Sequence, residues 1–173
     1  MAKEAILVID MLNDFVSPDG LLYCGDEARK IIPYIKSLIR EKRKEGAAII
    51  FAKDTHERDD KEFKRFPPHC IKGTKGAEII EELKPESGDC IVEKRRFSAF
   101  FETDLDEILK RENITKVHVV GVCTSICVMA TVSDLCARDY EIYVHRMGVA
   151  DFDREAHEFS LRHMERVFGA KII

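Results

Sequence analysis

The chain has 173 residues, of which 45% are hydrophobic and 35% charged, and its formal net charge is −4. This length fits one domain with a single core, which we expect to span 1–173. The basic runs are short and not interleaved with aromatic residues, which argues against a nucleic-acid-binding protein. No segment approaches the roughly 20 apolar residues of a membrane span, so we expect no membrane association.

Composition also indicates where the protein works. The N-terminal apolar run at 5–9 is interrupted by Asp10, so we expect no secretory signal, and the six cysteines form no Cys-x-x-Cys pair. We therefore expect a cytoplasmic protein whose cysteines are mostly small core residues. Many Lys, Arg and Glu with two Asn and no Gln are typical of a thermophile's protein.

Strand and helix patterns alternate along the chain. In order, they predict a strand at 4–10, a helix at about 26–45, a strand at 47–53, a short helix carrying Ala77, Ile80 and Leu83, a strand at 90–94, a helix near 104–112, a strand at 116–122, an apolar helix at 125–138, a strand at 141–145, a helix at 154–168 and a last strand at 170–173. Continuous apolar runs are typical of strands buried on both faces. The alternation predicts a three-layer α/β/α fold with a mostly parallel sheet.

Reactive side chains follow successive predicted strands. Asp10 follows the first strand, Lys94 ends the third, and a turn containing Cys123 and Cys127 follows the fourth. Taken singly, Asp10 fits a helix cap, Lys94 a surface lysine and Cys127 a core cysteine. Ligands of open parallel sheets bind beyond the carboxyl ends of the strands, so the three together predict a site.

These residue types suit nucleophilic catalysis. The start of a helix favours a thiolate at Cys127, and Asp10 can take its proton and later return it to a leaving amine. Lys94 would stabilise anions, and backbone N–H groups of the 122–127 turn would form an oxyanion hole. Because no Gly-x-Ser-x-Gly elbow is present, a serine hydrolase fits less well. We predict a cysteine hydrolase.

A second cluster of polar residues follows the second predicted strand. Asp54, His56, Glu62 and His69 offer a mixed nitrogen and oxygen ligand set, which suits Zn²⁺ and also Fe²⁺ or Mn²⁺. A chance scatter of polar loop residues is the alternative. The other histidines lie within predicted strands or the last helix, and we expect structural roles for them: His118, His145, His157 and His163.

Five motifs carry a family resemblance: VIDMLNDFV at 8–16, DTHE at 54–57, FPPHCIKGTKGAE at 66–78, EKRRFSAFFETDL at 93–105 and GVCTSICVMATVSDL at 121–135. With these motifs the chain resembles the isochorismatase-like cysteine hydrolases over its whole length. The stretch at 66–78 makes it most similar to the nicotinamidases, which convert nicotinamide to nicotinate and ammonia. The resemblance also implies a homo-oligomer, since relatives often form dimers or tetramers.

The resemblance assigns roles to individual residues. It implies a catalytic triad of Asp10, Lys94 and Cys127. It also implies a divalent metal on Asp54, His56 and His69, with Glu62 at a ligand position of some members. Phe15 and Phe97 match positions at which an aromatic residue packs on the substrate ring, and Leu22 lies nearby. The resemblance further implies a cis peptide bond at Val122–Cys123, which completes an oxyanion hole made of the Cys123 and Cys127 N–H groups.

Two positions depart from the nicotinamidase pattern. Ser125 stands where many nicotinamidases have Asp or Asn, and Cys70 follows His69 where relatives often have other residues. These departures leave open another small amide as substrate. One alternative is a different reaction of the family, either N-carbamoyl or ureido amide hydrolysis or isochorismate hydrolysis. The other is a non-catalytic protein that binds a metal or ligand, against which the intact Asp10, Lys94 and Cys127 set counts.

Overall fold

A parallel sheet of six strands forms the middle layer of the computed structural model, which describes residues 3–173. The strands are β1 (Lys3–Ile9), β2 (Ala48–Asp54), β3 (Cys90–Lys94), β4 (Ile114–Val122), β5 (Glu141–Ala150) and β6 (Lys171–Ile172). Their order is β3-β2-β1-β4-β5-β6, and each neighbouring pair is parallel. The predicted α/β fold is confirmed; the first two residues of the predicted domain at 1–173 lie outside the described residues.

Helices cover both faces of this sheet. They are α1 (Asn13–Val16), α2 (Asp26–Lys30), α3 (Ile32–Lys44), α4 (Leu105–Arg111), α5 (Met129–Cys136) and α6 (Arg154–Phe168). Alternate residues of β1 point to opposite faces, so Ile6 and Val8 pack with α2 and α3 while Leu7 and Ile9 pack with α4, α5 and α6. Burial on both faces explains why β1 is a continuous apolar run. In residues 3–173 no helix is long and apolar enough to cross a membrane.

Three predicted elements are present but have different bounds in the structure. The predicted helix at 26–45 is two helices, because Pro33 has no N–H to donate to the preceding turn, so α2 ends at Lys30 and α3 begins at Ile32. The predicted helix at 125–138 begins as a π-helical turn (Thr124–Val128) that continues into α5. The strand predicted at 141–145 continues to Ala150, because it resumes pairing with β4 after a bulge.

The predicted short helix carrying Ala77, Ile80 and Leu83 is wrong. Ala77 and Leu83 belong to two separate 3₁₀ turns, Lys75–Ala77 and Glu81–Leu83, and Ile80 lies between them. Between them the backbone pairs with the segment after β1: Ile80 N–H donates to Met11 O at 3.0 Å, and Asn13 N–H donates to Glu78 O at 3.0 Å. Hydrogen bonds made across to another segment are not available for an α-helix, which requires them within the same segment.

The carboxyl ends of β1 and β4 meet at the centre of the sheet. The strand order reverses direction between these two strands, and at such a point an open parallel sheet forms a crevice. Here Gly121 lies opposite Ile9, with a φ of 120°, and a Cβ added to Gly121 would lie 2.0 Å from Ile9 O. The close approach of the two backbones therefore requires glycine at this position.

We predict that Gly121→Ala destabilises the protein by roughly 3 kcal/mol or more, because the new methyl group would overlap the backbone of a buried strand that cannot move aside. Gly46→Ala is the matched control, since Gly46 also has a positive φ but has open space around its Cβ position. Its cost should be about 1–2 kcal/mol. Urea unfolding of both variants measures the difference, and equal losses would contradict the steric explanation.

A chain of buried and half-buried hydrogen bonds joins α3 to the neighbouring strands β5, β4 and β1. His145 contacts Tyr34 Oη through Nδ1 and His118 Nδ1 through Nε2, each at 2.8 Å, and His118 Nε2 lies 3.2 Å from Glu4 Oε2. The structural roles predicted for His118 and His145 agree with these contacts. Burial, reinforced by the charge of His118, lowers the pKa of His145 to about 4.

The lowered pKa of His145 predicts a pH-dependent stability. In the unfolded chain His145 binds a proton below a pH of about 6.5, whereas in the folded protein it does so only near pH 4. The free energy of unfolding therefore falls as the pH drops from 6.5 towards 4. Allowing for screening by solvent, we expect the His145 contribution to fall by about 1 kcal/mol between pH 6.5 and 5. His145→Gln should flatten the pH-dependence of the unfolding free energy in this range. An unchanged slope would show that His145 does not titrate as stated.

Candidate active site

Asp10, Lys94 and Cys127 meet in one buried cluster at the carboxyl edge of the sheet. Lys94 Nζ lies 2.9 Å from Asp10 Oδ2 and 3.6 Å from Cys127 Sγ. Lys94 is only 2% exposed, so it is not a surface lysine. Asp10 does not cap a helix: its Oδ1 accepts the N–H of Asp54 at 2.9 Å, and the residue before α1 is Leu12. The three side chains predicted to form a triad are therefore in mutual contact range.

Burial sets the charges within this cluster. It raises the pKa of Asp10 to about 6, although Lys94 acts in the opposite direction. Burial also raises the pKa of the Cys127 thiol well above its ordinary value, again against Lys94. For Lys94 itself burial is outweighed by Asp10 and Asp54, so its pKa is raised. The raised pKa of Cys127 favours its neutral thiol, so a base such as Asp10 has to take the proton before the sulfur can act as a nucleophile.

The turn after β4 carries the cysteine. The Val122–Cys123 peptide bond is cis, as predicted. The following π-turn closes on Cys123 O, which accepts the N–H groups of Ile126 at 3.1 Å and Val128 at 3.2 Å. Two residues outside the turn also contact it: Asp151 accepts the Ser125 N–H at 2.8 Å, and His157 Nδ1 lies 2.8 Å from Thr124 Oγ1. The turn is therefore held by the residue after β5 and by α6 as well as by β4.

Asp54, His56, Glu62 and His69 form the second predicted cluster, and all four are buried. One ligand atom from each lies within 4.8 Å of the others. His69 Nδ1 lies 2.7 Å from Pro67 O, and because a carbonyl oxygen only accepts, Nδ1 must carry the hydrogen. In a neutral imidazole the other nitrogen, Nε2, is then an acceptor, and it lies 3.4 Å from Asp54 Oδ2. Glu62 Oε2 is buried and has no hydrogen-bond partner among the described residues. The same oxygen lies 3.8 Å from Arg96 Nη1, too far for a hydrogen bond. Facing acceptors and a buried carboxylate oxygen without a hydrogen bond fit a metal cation between them.

Asp60 and Arg96, which were not predicted as site residues, position the proposed metal ligand His56. Asp60 Oδ2 lies 3.0 Å from His56 Nδ1, and Asp60 in turn accepts from Arg96 at 3.0 Å. A carboxylate on the second nitrogen is typical of a metal-binding histidine. Although burial opposes it, Asp54 and Asp60 raise the pKa of His56 to about 9, so the cluster favours positive charge. The available signal was the spacing of Asp60, four residues after His56 in a polar loop.

Asp54 joins the two clusters. Its Oδ1 accepts from Lys94 Nζ at 3.2 Å, and its Oδ2 lies 2.9 Å from His56 Nε2. Burial acts to raise the pKa of Asp54, but Lys94 and His56 hold this pKa well below its ordinary value. Asp54 is thus an anion shared between the Lys94 ammonium and the second cluster.

A cavity of about 390 Å³ opens above both clusters. Its volume falls in the range of small-molecule sites. The residues that the resemblance assigned to the substrate all line it, namely Phe15, Leu22 and Phe97, and so do Asp10, Cys127, Glu62 and His69. Phe66 and Tyr23 also line the cavity and were not predicted. The walls are thus largely aromatic and apolar, with the reactive groups at one end.

Asp14 is a further buried residue that the sequence analysis did not single out. Its carboxylate accepts the N–H of Leu21 at 3.2 Å and the N–H of Cys70 at 2.7 Å. It therefore connects a cavity-lining segment to the segment that carries His69. The motif at 8–16 contains Asp14, but nothing in it shows which distant backbone groups the carboxylate contacts.

Comparison with known proteins identifies the family. The Isochorismatase domain family matches residues 4–173. The crystal structure of the nicotinamidase PncA from Bacillus subtilis is 38% identical, covers 98% of each chain and has a TM-score of 0.93. A pyrazinamidase of Pyrococcus horikoshii in complex with zinc is 32% identical, covers 99% of this chain and 98% of its own, and has a TM-score of 0.94. The ureidoacrylate amidohydrolase RutB of Yersinia enterocolitica is 28% identical over 97% of this chain and 84% of its own. The chain belongs to the isochorismatase family of hydrolases.

Proposed function

We propose that this protein hydrolyses nicotinamide to nicotinate and ammonia through a thioester on Cys127. The observation that carries the proposal is the contact of Lys94 with both Asp10 and Cys127 at the end of an aromatic cavity. A thiol next to a carboxylate base and a fixed cation is the arrangement that nucleophilic catalysis by cysteine needs. The similarity to the nicotinamidase of Bacillus subtilis supports the choice of substrate.

The same geometry suggests the sequence of steps. Asp10 takes the proton of Cys127, and the sulfur attacks the carboxamide carbon while Lys94 stabilises the negative charge. The N–H groups of Cys123 and Cys127 stabilise the oxyanion. The C–N bond breaks as Asp10 returns the proton, and ammonia leaves. Water then attacks the thioester, with Asp10 accepting its proton, and nicotinate and the Cys127 thiol are released.

The metal proposed here is held by Asp54, His56 and His69, with Glu62 as a fourth ligand. We propose zinc, because the donor set is a mixed nitrogen and oxygen one and the similar pyrazinamidase is in complex with zinc; Fe²⁺ and Mn²⁺ suit the same donors. When bound, the metal supplies a Lewis acid for the pyridine nitrogen of the substrate. Phe15 and Phe97 pack on the substrate ring, and Leu22 closes the cavity beside it.

Hydrolysis of a ureido acid is the second candidate, because the chain also resembles a ureidoacrylate amidohydrolase. Ureidoacrylate carries a carboxylate, and among the described residues no Arg or Lys lines the cavity, so the proposed metal would be its cationic partner. The aromatic side chains of the cavity wall instead fit the flat ring of nicotinamide, and they are the reason for preferring an aromatic amide.

We predict that Cys127→Ala abolishes ammonia release from nicotinamide, lowering turnover at least about 10³-fold, because no other group replaces the nucleophile. Cys136→Ala is the matched control: Cys136 ends α5, does not line the cavity, and its loss should leave turnover near that of the wild type. The fold of Cys127→Ala should persist, since removing one small sulfur costs a few kcal/mol at most. Mass spectrometry with a slow amide or an aldehyde should find the adduct on Cys127, and an adduct on Cys123 would refute the assignment.

We predict that His56→Ala removes the metal from the purified protein, as measured by elemental analysis, while thermal unfolding changes much less. Asp60→Asn should keep the metal but bind it 10–100-fold more weakly, because Asp60 orients His56 and accepts the backbone N–H of Glu62 but is not itself one of the proposed ligands. His163→Ala is the control histidine, since it stacks on Phe159 in α6. Full metal content in His56→Ala, or no metal in the wild-type protein, would contradict this assignment.

A further inference from the structure

Two cysteines outside the proposed triad touch one another in the wall of the cavity. Cys24 Sγ and Cys123 Sγ lie 3.1 Å apart, although 99 positions separate them in the chain. Both are free thiols, 5% and 8% exposed, and both line the cavity. Their exposed surface therefore faces the space that a small molecule would enter.

We propose that Cys24 and Cys123 are a modification site at which a peroxide converts the two thiols to a disulfide. A disulfide has an S–S bond of about 2.05 Å, so the two sulfur atoms must approach by about 1 Å. Cys24 lies in the 17–25 loop, between α1 and α2 and outside any helix or strand, and its N–H donates to Phe15 O at 2.8 Å. The approach of the two sulfur atoms therefore falls mainly to the side chains. Disulfides of this type in a reducing compartment are typically reversible and redox-sensing.

The reaction needs one peroxide and two thiols. The sulfur of Cys24 attacks a peroxide oxygen, the O–O bond breaks, and water leaves with the thiol proton, which gives a sulfenic acid on Cys24. The sulfur of Cys123 then attacks the sulfenic sulfur, the S–O bond breaks and a second water leaves. The two thiols are oxidised by two electrons in total, and the peroxide is reduced to two waters.

The structure favours Cys24 as the first sulfur to react. The hydrogen bond with Cys24 and burial raise the pKa of the Cys123 thiol far above its ordinary value, which makes Cys123 the poorer nucleophile toward peroxide. Cys123 nevertheless has its sulfur in contact with Cys24, where a sulfenic acid would form. This proximity suits it to the second step.

The disulfide would affect the cavity directly. The 17–25 loop carries Leu21, Leu22 and Tyr23, which line the cavity, and Cys123 follows the cis bond at the start of the turn that carries Cys127. A bond between them ties the loop to the turn and displaces both. We therefore expect oxidation to lower turnover reversibly, an expectation that rests on the proposed function.

The test is peptide mapping after treatment with hydrogen peroxide. Trypsin releases Cys24 on the peptide 4–29, but Cys123, Cys127 and Cys136 share the peptide 117–138. The double variant Cys127→Ala/Cys136→Ser leaves Cys123 as the sole cysteine of the second peptide. In this variant we expect a cross-linked product whose mass is the sum of the two peptides less two hydrogen atoms, and dithiothreitol should release both peptides. Adding Cys24→Ser should remove the product.

A second measurement uses the wild-type protein. Peroxide should lower its turnover on nicotinamide by about 10²-fold, and dithiothreitol should restore it, whereas the same treatment should lower the turnover of Cys24→Ser much less, relative to the untreated variant. An equal loss in Cys24→Ser would place the oxidation on Cys127 and contradict the proposal. If nicotinamide is not a substrate, the peptide map still tests the disulfide. The proposal is overturned if Cys24 becomes a sulfinic acid while Cys123 remains a free thiol. It is also overturned if wild-type protein cross-links Cys123 mainly to Cys127.

Discussion

The rest of the site depends on a buried ammonium. Lys94 ends β3 with its Nζ in contact with Asp10, Asp54, Cys127 Sγ and the carbonyl of Arg96. An isolated buried ammonium would cost several kcal/mol, and two carboxylates offset that cost. The converse also holds, because Asp10 and Asp54 are buried and without Lys94 would form two adjacent uncompensated charges. The ion cluster therefore fixes the positions of three strand ends at once.

This arrangement explains how one carboxylate can act as a base while another stays an anion. Asp10 lies against Lys94, but burial outweighs this contact and raises the pKa of Asp10 to about 6. Asp54 lies against both Lys94 and His56, which hold its pKa well below the ordinary value although burial opposes them. The two acids differ in environment and not in residue type, so one suits proton transfer and the other a permanent ligand.

The sheet supplies the rigidity that such a cluster needs. β1, β2, β3 and β4 deliver Asp10, Asp54, Lys94 and the turn after Val122 to one edge, and each strand is paired over five or more positions. Gly121 lets β4 approach β1 closely at this edge. By contrast, Phe66, Phe97 and Cys24 lie outside the helices and strands, and Phe15 lies in the short helix α1, so most of the aromatic wall is not part of the sheet.

Which residues reach the crevice could be predicted from the amino-acid sequence. Apolar runs located the strands, and Asp10, Lys94 and Cys127 stand at the end of a run or in the turn after it, so a parallel sheet brings them to one edge. Other contacts could not be predicted. Those of Asp60 with Arg96, of Asp14 with the backbone of Cys70 and of Cys24 with Cys123 join positions 36, 56 and 99 apart, outside the segments with a periodic pattern. Periodic patterns encode which face of an element is buried, whereas contacts between loops depend on how the finished fold brings them together.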